Sequence, residues 1–264
     1  MNFASLLGQL HASGGRSVSV PPEWAQGRAT FGGLVAALVY EAMRLQVPTD
    51  RVLRSLTVSF VGPVEPGQVH FDVRVLRSGK SVTQVLGTAY QGDEVMTAVL
   101  GSFGGPRQSA LIVDAEPAPS LAPVEQCRRV PFDPERSPSF IRFFDIRWAV
   151  GEAPFSASRA RSIGGWVRLD EPGMPIGEAA LLALVDAWPP TVLPMMNARA
   201  PSSSLSWTIE FIQPIPPATT TADWWMYHST AEHARDGYAQ CRAGLWTPNG
   251  RLVAISRQTY AVFG

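Results

Sequence analysis

Four polar residues stand where a side chain could do acid–base or water-positioning work. Asp186 closes the run Ile176-Gly-Glu-Ala-Ala-Leu-Leu-Ala-Leu-Val-Asp186. A carboxylate at the C-terminal end of a helix meets the negative pole of the helix dipole, at a cost of a few tenths to about 1 kcal/mol. Following an apolar run, it also faces burial, which costs more unless hydrogen bonds compensate. A carboxylate kept there either accepts N–H bonds from the loop beyond the helix or takes protons in a reaction. Glu41 ends a matching run, Phe31-Gly-Gly-Leu-Val-Ala-Ala-Leu-Val-Tyr-Glu41, and Arg44 three residues on could pair with it on a solvated face. Ser204 opens the segment Ser202-Ser-Ser-Leu-Ser206, where serines commonly serve as turn residues. Gln258 lies inside Ala254-Ile-Ser-Arg-Gln-Thr-Tyr260, and a glutamine in mid-strand most often faces solvent. Taken singly, Ser204 and Gln258 are weak signals.

The elements that must position these residues occur twice. The two apolar runs lie 145 residues apart, and each is followed by an alternating strand that ends in an aromatic and a proline. These strands are Ser55-Leu-Thr-Val-Ser-Phe60-Val-Gly-Pro63 and Ser206-Trp-Thr-Ile-Glu-Phe211-Ile-Gln-Pro214. A repeat this long implies two copies of one domain rather than a solenoid. In the first copy a weak strand at 17–20 precedes a helix over roughly 31–46, capped by Thr30 and stopped near Pro48. Strands are expected at about 55–62, 68–78, 81–91 and 94–104, with Leu56, Val58 and Phe60 on one face and Phe71, Val73 and Val75 on another. In the second copy a strand at about 164–169 leads to a helix over about 176–188, stopped by Pro189-Pro190. Strands near 203–213, 220–230, 238–247 and 251–263 follow, the last two joined at Asn249-Gly250, a two-residue hairpin signal. Both helices are apolar all round, so they must be buried on most sides. A strongly curved antiparallel sheet wrapped around each would do this. The expected fold is α+β, a double hotdog of two tandem repeats. The boundaries are 1–104 for the first repeat, 105–139 for a linker with seven prolines, and 140–264 for the second. Within the linker, Ala110–Val113 could add a short strand or packing segment.

Composition narrows the function classes. The net charge is zero, which argues against nucleic acid or an acidic membrane as partner. No apolar run reaches the roughly 20 residues needed to cross a bilayer, and the N-terminus lacks a basic n-region and a long h-region. A cytoplasmic protein is expected. Cys127 and Cys241 are read as reduced thiols. The four histidines (11, 70, 228 and 233) have no metal-ligand spacing, and there is no G-x-S-x-G, G-x-G-x-x-G or P-loop motif.

The segments Gly27-Arg-Ala-Thr-Phe-Gly-Gly33, Arg54-Ser-Leu-Thr-Val-Ser-Phe60 and Gly250-Arg-Leu-Val-Ala-Ile-Ser-Arg-Gln258 resemble the acyl-CoA thioesterase II family of double-hotdog proteins. The resemblance spans nearly the whole chain outside the linker. In that family an Asp, a Thr or Ser, and a Gln position the water that attacks a thioester. By this resemblance Asp186, Ser204 and Gln258 fill the three places, with serine where some relatives have threonine. Leu53 falls opposite Ser204 in the first copy, and about Leu100 or Gly101 opposite Gln258, so one active site per chain is implied. The resemblance further implies an acyl-CoA substrate and no cofactor or metal, and the exposed sheet edges of a double hotdog point to a homodimer or higher oligomer. Backbone N–H groups around Gly32 and Gly33 are the candidates for binding the developing oxyanion. Tight helix–sheet packing is the other reading of those glycines. Two rival functions share the scaffold. One is a non-catalytic acyl-CoA or lipid-binding protein. The other is an enoyl-CoA hydratase, weakened because no histidine follows Asp186 until His228. The linker and the pair Trp224-Trp225 depart from the family pattern.

Overall fold

In the computed structural model, which describes residues 1–263, the chain opens with helix α1 (Phe3–Ala12), strand β1 (Ser17–Val20) and a small hairpin of β2 (Ala25–Gln26) and β3 (Ala29–Thr30). Helix α2 (Gly32–Arg44) leads into β4 (Val52–Phe60), β5 (Gly67–Ser78), β6 (Val82–Gln91) and β7 (Glu94–Gly104). After the proline-rich stretch come β8 (Arg128–Arg129), β9 (Phe144–Val150), β10 (Ser162–Leu169) and helix α3 (Glu178–Asp186). The chain closes with β11 (Ser202–Phe211), β12 (Trp225–Arg235), β13 (Tyr238–Trp246) and β14 (Leu252–Val262).

All strands except β2 and β3 form one twelve-stranded sheet in the order β1-β5-β6-β7-β4-β11-β14-β13-β12-β10-β9-β8. The two repeats meet at β4 and β11, which pair antiparallel with Thr57 opposite Thr208. Joining there removes the two longest edges and leaves only β1 and β8, four and two residues long, at the ends. Antiparallel strands with one face on the core alternate, and Trp207, Ile209 and Phe211 turn inward as Leu56 and Val58 do. The helices lie inside the curve of the sheet. Seven residues of α3, Ala179 to Val185, are buried, and so are ten of α2. Burying an all-apolar helix against a sheet contributes roughly 1.5–3 kcal/mol for each large aliphatic side chain. The two helices run antiparallel: the start of α2 meets the end of α3 at Gly33 and Asp186. Near the other end, Tyr40 Oη donates to Glu178 Oε2 at 3.2 Å.

Several local expectations change. Thr30 does not cap α2; Phe31 holds the cap position without a side-chain hydrogen bond. Thr30 is instead fixed in β3, its N–H donating to Val64 O at 2.6 Å. Helix α3 is shorter than its apolar pattern, because Pro175 and Ile176 bond to Thr220 and Thr219 across a loop. Ala110–Val113 form no strand, and Leu111, Ile112 and Val113 are 78%, 83% and 82% exposed. The linker packs further along, where Trp166 Nε1 donates to Ala122 O and Trp246 Nε1 to Glu116 O. The turn at Asn249-Gly250 holds three residues rather than two. Thr247 N donates to Arg251 O, Gly250 N to Thr247 O, and Gly250 takes φ +81°, a three-residue loop ending in a left-handed glycine. Besides the two-residue strands β2, β3 and β8, two longer elements have no counterpart in the sequence pattern. Helix α1 carries Phe3, Leu6 and Leu10 on its buried face behind the cap Asn2. Strand β9 alternates Phe144, Ile146 and Trp148 toward the core.

Candidate active site

Asp186 is the last residue of α3, and its carboxylate faces the first turn of α2. The negative end of one helix and the positive end of the other thus meet at the same group. A Cβ placed on Gly33 would lie 2.8 Å from Asp186 Cβ and 2.5 Å from the Phe31 ring, so only glycine permits this approach. The Gly33 N–H lies close enough to the carboxylate to favour its charged form. Gln258 Nε2 donates to Asp186 Oδ1 at 2.6 Å. Burial raises the Asp186 pKa from 3.8 to about 7, against the lowering pull of the Gln258 hydrogen bond and of the nearby Gly33 N–H. The carboxylate is therefore poised to exchange a proton near neutral pH.

Gln258 does not face solvent. It is 5% exposed, on the helix-facing side of β14 with Ser256 and Tyr260. Tyr260 Oη donates to Gln258 Oε1, so both ends of the amide are engaged. Sequence reasoning missed Tyr260, although its position two residues beyond Gln258 on one strand places both on one face.

Ser204 reaches the same side through a β-bulge. In β11, Ser204 lies opposite Tyr260 and Ser206 opposite Thr259, so Leu205 is an extra residue. A regular strand would align Ser204 with Ser206 and Thr208 on the outer face; the bulge turns it inward. Ser204 lines the same cavity as Asp186, and its hydroxyl bonds to neither Asp186 nor Gln258.

The cavity has a volume of about 520 Å³ and opens at the seam between the repeats. Val35, Phe60 and Val64 come from the first repeat, and Trp188, Leu205 and Phe263 from the second. Among the described residues, Asp186 is the one carboxylate and Arg28 the one cation on its wall. Gly32 also lines it. A Cβ there would sit 3.1 Å from Asp186 Oδ2 and 3.2 Å from the Phe60 ring, so a side chain would crowd the carboxylate. Of the two glycines named from the sequence, Gly33 packs against Asp186 and Phe31, and Gly32 adjoins the open space.

The first repeat carries the same frame with its chemistry filled in. Arg54 forms the equivalent bulge, and Leu53, 2% exposed, holds the place of Ser204. Gly101 lies opposite Leu56 as Gln258 lies opposite Trp207, so Gly101 is its counterpart. The methyl of Met43 occupies the space beside it. Glu41 does not pair with Arg44. Arg44 turns its guanidinium to Val47 O at 2.7 Å, as cations do at helix C-termini. Glu41 instead meets His11 Nε2 of α1 at 3.1 Å. Burial raises the Glu41 pKa, and the His11 bond opposes that shift.

Among the described residues, no cluster of three or more His, Cys, Asp or Glu side chains could hold a metal ion, and Cys127 and Cys241 are free and buried. No helix among them is long and apolar enough to cross a membrane.

A twelve-stranded antiparallel sheet packed on two antiparallel apolar helices defines a double hotdog. A conserved protein with a hot dog fold from Alicyclobacillus acidocaldarius has this fold at 23% identity, covering 95% of this chain and 94% of that one, with a TM-score of 0.82. The tesB protein of Mycobacterium avium subs paratuberculosis matches at 17% identity over 98% and 100% of the two chains, with a TM-score of 0.78. The acyl-CoA thioesterase II TesB2 of Mycobacterium marinum matches at 20% identity over 94% and 93%, with a TM-score of 0.73. The chain belongs to the acyl-CoA thioesterase family. Residues 20–104 match the acyl-CoA thioesterase N-terminal domain, and residues 124–262 the acyl-CoA thioesterase C-terminal domain. A comparison with curated proteins finds no match.

Proposed function

We propose that this protein hydrolyses an acyl-CoA thioester to a carboxylic acid and free CoA, by direct attack of water activated by Asp186. The observation that carries this reading is the Gln258–Asp186 hydrogen bond on the wall of the seam cavity, with the Asp186 pKa raised to about 7. Asp186 Oδ2 adjoins Gly32 and the cavity and takes a proton from the attacking water, while Gln258 holds Oδ1. Ser204 orients the same water from the β11 side. The new C–O bond places negative charge on the thioester oxygen, and the Gly32 N–H at the positive end of α2 is the donor suited to it. Collapse breaks the C–S bond. The CoA thiolate leaves and takes back the proton that Asp186 acquired, so the cycle closes without a covalent intermediate, cofactor or metal. The apolar wall accommodates the acyl chain, and Arg28 at the rim offers its guanidinium to the phosphates of CoA. The second repeat carries the reaction, and the first supplies the Gly32 end of α2 and part of the wall.

The test is release of free thiol from a panel running from acetyl- to palmitoyl-CoA and including aromatic acyl-CoAs. Turnover with at least one member is expected. Saturable binding with no turnover across the panel would instead assign an acyl-CoA-binding role.

A further inference from the structure

Beyond the three residues of the proposed reaction, one contact binds the site to the sheet behind it. We propose that Tyr260 is a positioning residue: its hydroxyl fixes which end of the Gln258 amide faces Asp186, and so favours the ionised base. This rests on the thioesterase reading for its effect on rate, but not for its effect on Asp186 itself.

A buried amide has a donor end and an acceptor end, and each needs a partner. Gln258 presents Nε2 to Asp186 Oδ1 and Oε1 to the Tyr260 hydroxyl. Turned over, it would present Oε1 to Asp186 and Nε2 to Tyr260. With Asp186 ionised, the turned amide sets oxygen against oxygen and is disfavoured. With Asp186 protonated, the turned amide accepts the carboxyl proton and becomes a good partner for the neutral acid. An amide free to turn therefore stabilises both protonation states, whereas one held in place stabilises only the ionised state. The Tyr260 hydroxyl holds it, because turning would cost that donor its acceptor inside a buried site. Tyr260 is 6% exposed, and burial keeps its phenol protonated, with its pKa well above 10. It remains a donor across the working pH range.

The surroundings leave Tyr260 in control. The titratable groups near Asp186 are Tyr227 on β12 and Tyr260 on β14, with Cys241 on β13 next to both. Burial raises the pKa of all three, so none of them gains charge near neutrality. The first turn of α2 contributes only backbone groups, and Arg28 lines the same cavity. The ring of Tyr260 packs with Val192, Ala231, Ala239 and Cys241, contacts that phenylalanine would keep.

The test is Tyr260→Phe in the full chain, read in two ways. The first is the Asp186 pKa, taken from the pH at which the thermal stabilities of the Asp186 form and its Asp186→Asn counterpart diverge. It is measured with Tyr260 intact and again in the Tyr260→Phe background, and needs no turnover. The second is the acid limb of kcat for CoA release. Losing one neutral hydrogen bond should move both upward by about half to one pH unit, with KM unchanged. Adding Tyr260→Phe to Gln258→Ala should produce no further shift. An unshifted stability-derived pKa in Tyr260→Phe overturns the proposal, whatever the activity. A shifted pKa in a protein that hydrolyses no acyl-CoA upholds the positioning role and rejects the thioesterase reading. A uniform loss of rate at every pH, with no shift, would mean that Tyr260 only packs.

Discussion

At the scale of residues, the account depends on one carboxylate held out of water. Its cost and its use have the same origin. In the unfolded chain Asp186 would titrate at about 3.8, and in the fold it titrates at about 7. Between those values the folded state holds a proton that the unfolded chain has lost, so stability falls as pH rises from about 4 to about 7 and levels off above. The gap corresponds to on the order of 4 kcal/mol. Melting temperatures followed from pH 5 to pH 8 should therefore drop by several degrees more for the wild type than for Asp186→Asn, in which this group no longer ionises. In the proposed reaction the same ionisation governs rate. A general base must be deprotonated, so CoA release should rise with pH through about 7 and then plateau. Gln258→Ala removes a hydrogen bond to the charged form. Its acid limb should lie at higher pH than that of the wild type, with activity at pH 7 lowered roughly tenfold or more. A Gln258→Ala profile that overlays the wild type would separate Gln258 from the base.

At the scale of elements, two devices bring these side chains together. One is the bare first turn of α2. Gly33→Ala would push a methyl to 2.8 Å from Asp186 Cβ and 2.5 Å from Phe31, an overpacking that costs about 1–3 kcal/mol and lowers the melting temperature by several degrees. An unchanged melting temperature would mean that the helices part more easily than this contact implies. The other device is the Leu205 bulge. Deleting Leu205 restores strict alternation, turns Ser204 to the outer face, and should reduce kcat while the sheet still forms. Helices α2 and α3 and most of the long strands were legible in the sequence because apolar periodicity and punctuating Gly and Pro report directly on burial. Helix α1 and strand β9 carried the same signals, in Phe3, Leu6 and Leu10 and in Phe144, Ile146 and Trp148, but both lie outside the duplicated pattern. For the site, Asp186 was legible as a misplaced carboxylate. Ser204 and Gln258 took their meaning from the family resemblance, because no local pattern reports a bulge or says which mid-strand glutamine faces inward. Glu41 illustrates the limit from the other side. Its partner His11 lies 30 residues away on α1, and sequence spacing pointed to Arg44 instead.

At the scale of the molecule, duplication supplied the sheet twice and, in the proposed reaction, the chemistry once. The β4–β11 seam fuses the repeats into one structure, and the cavity draws its walls from both. Leu53, Gly101 and Met43 fill in the first repeat what Ser204 and Gln258 leave polar in the second. Glu41→Gln should therefore change the rate of CoA release by less than about twofold, as expected for a partly buried group away from the reacting atoms; a large loss would show that the first repeat takes part in the chemistry. The most direct test of the central claim is the rate of CoA release by Asp186→Asn at pH 8 on the best substrate of the panel, with folding verified by its melting curve. The account predicts a rate at least about a hundredfold below wild type in a folded protein. A folded Asp186→Asn that retains the wild-type rate would contradict it.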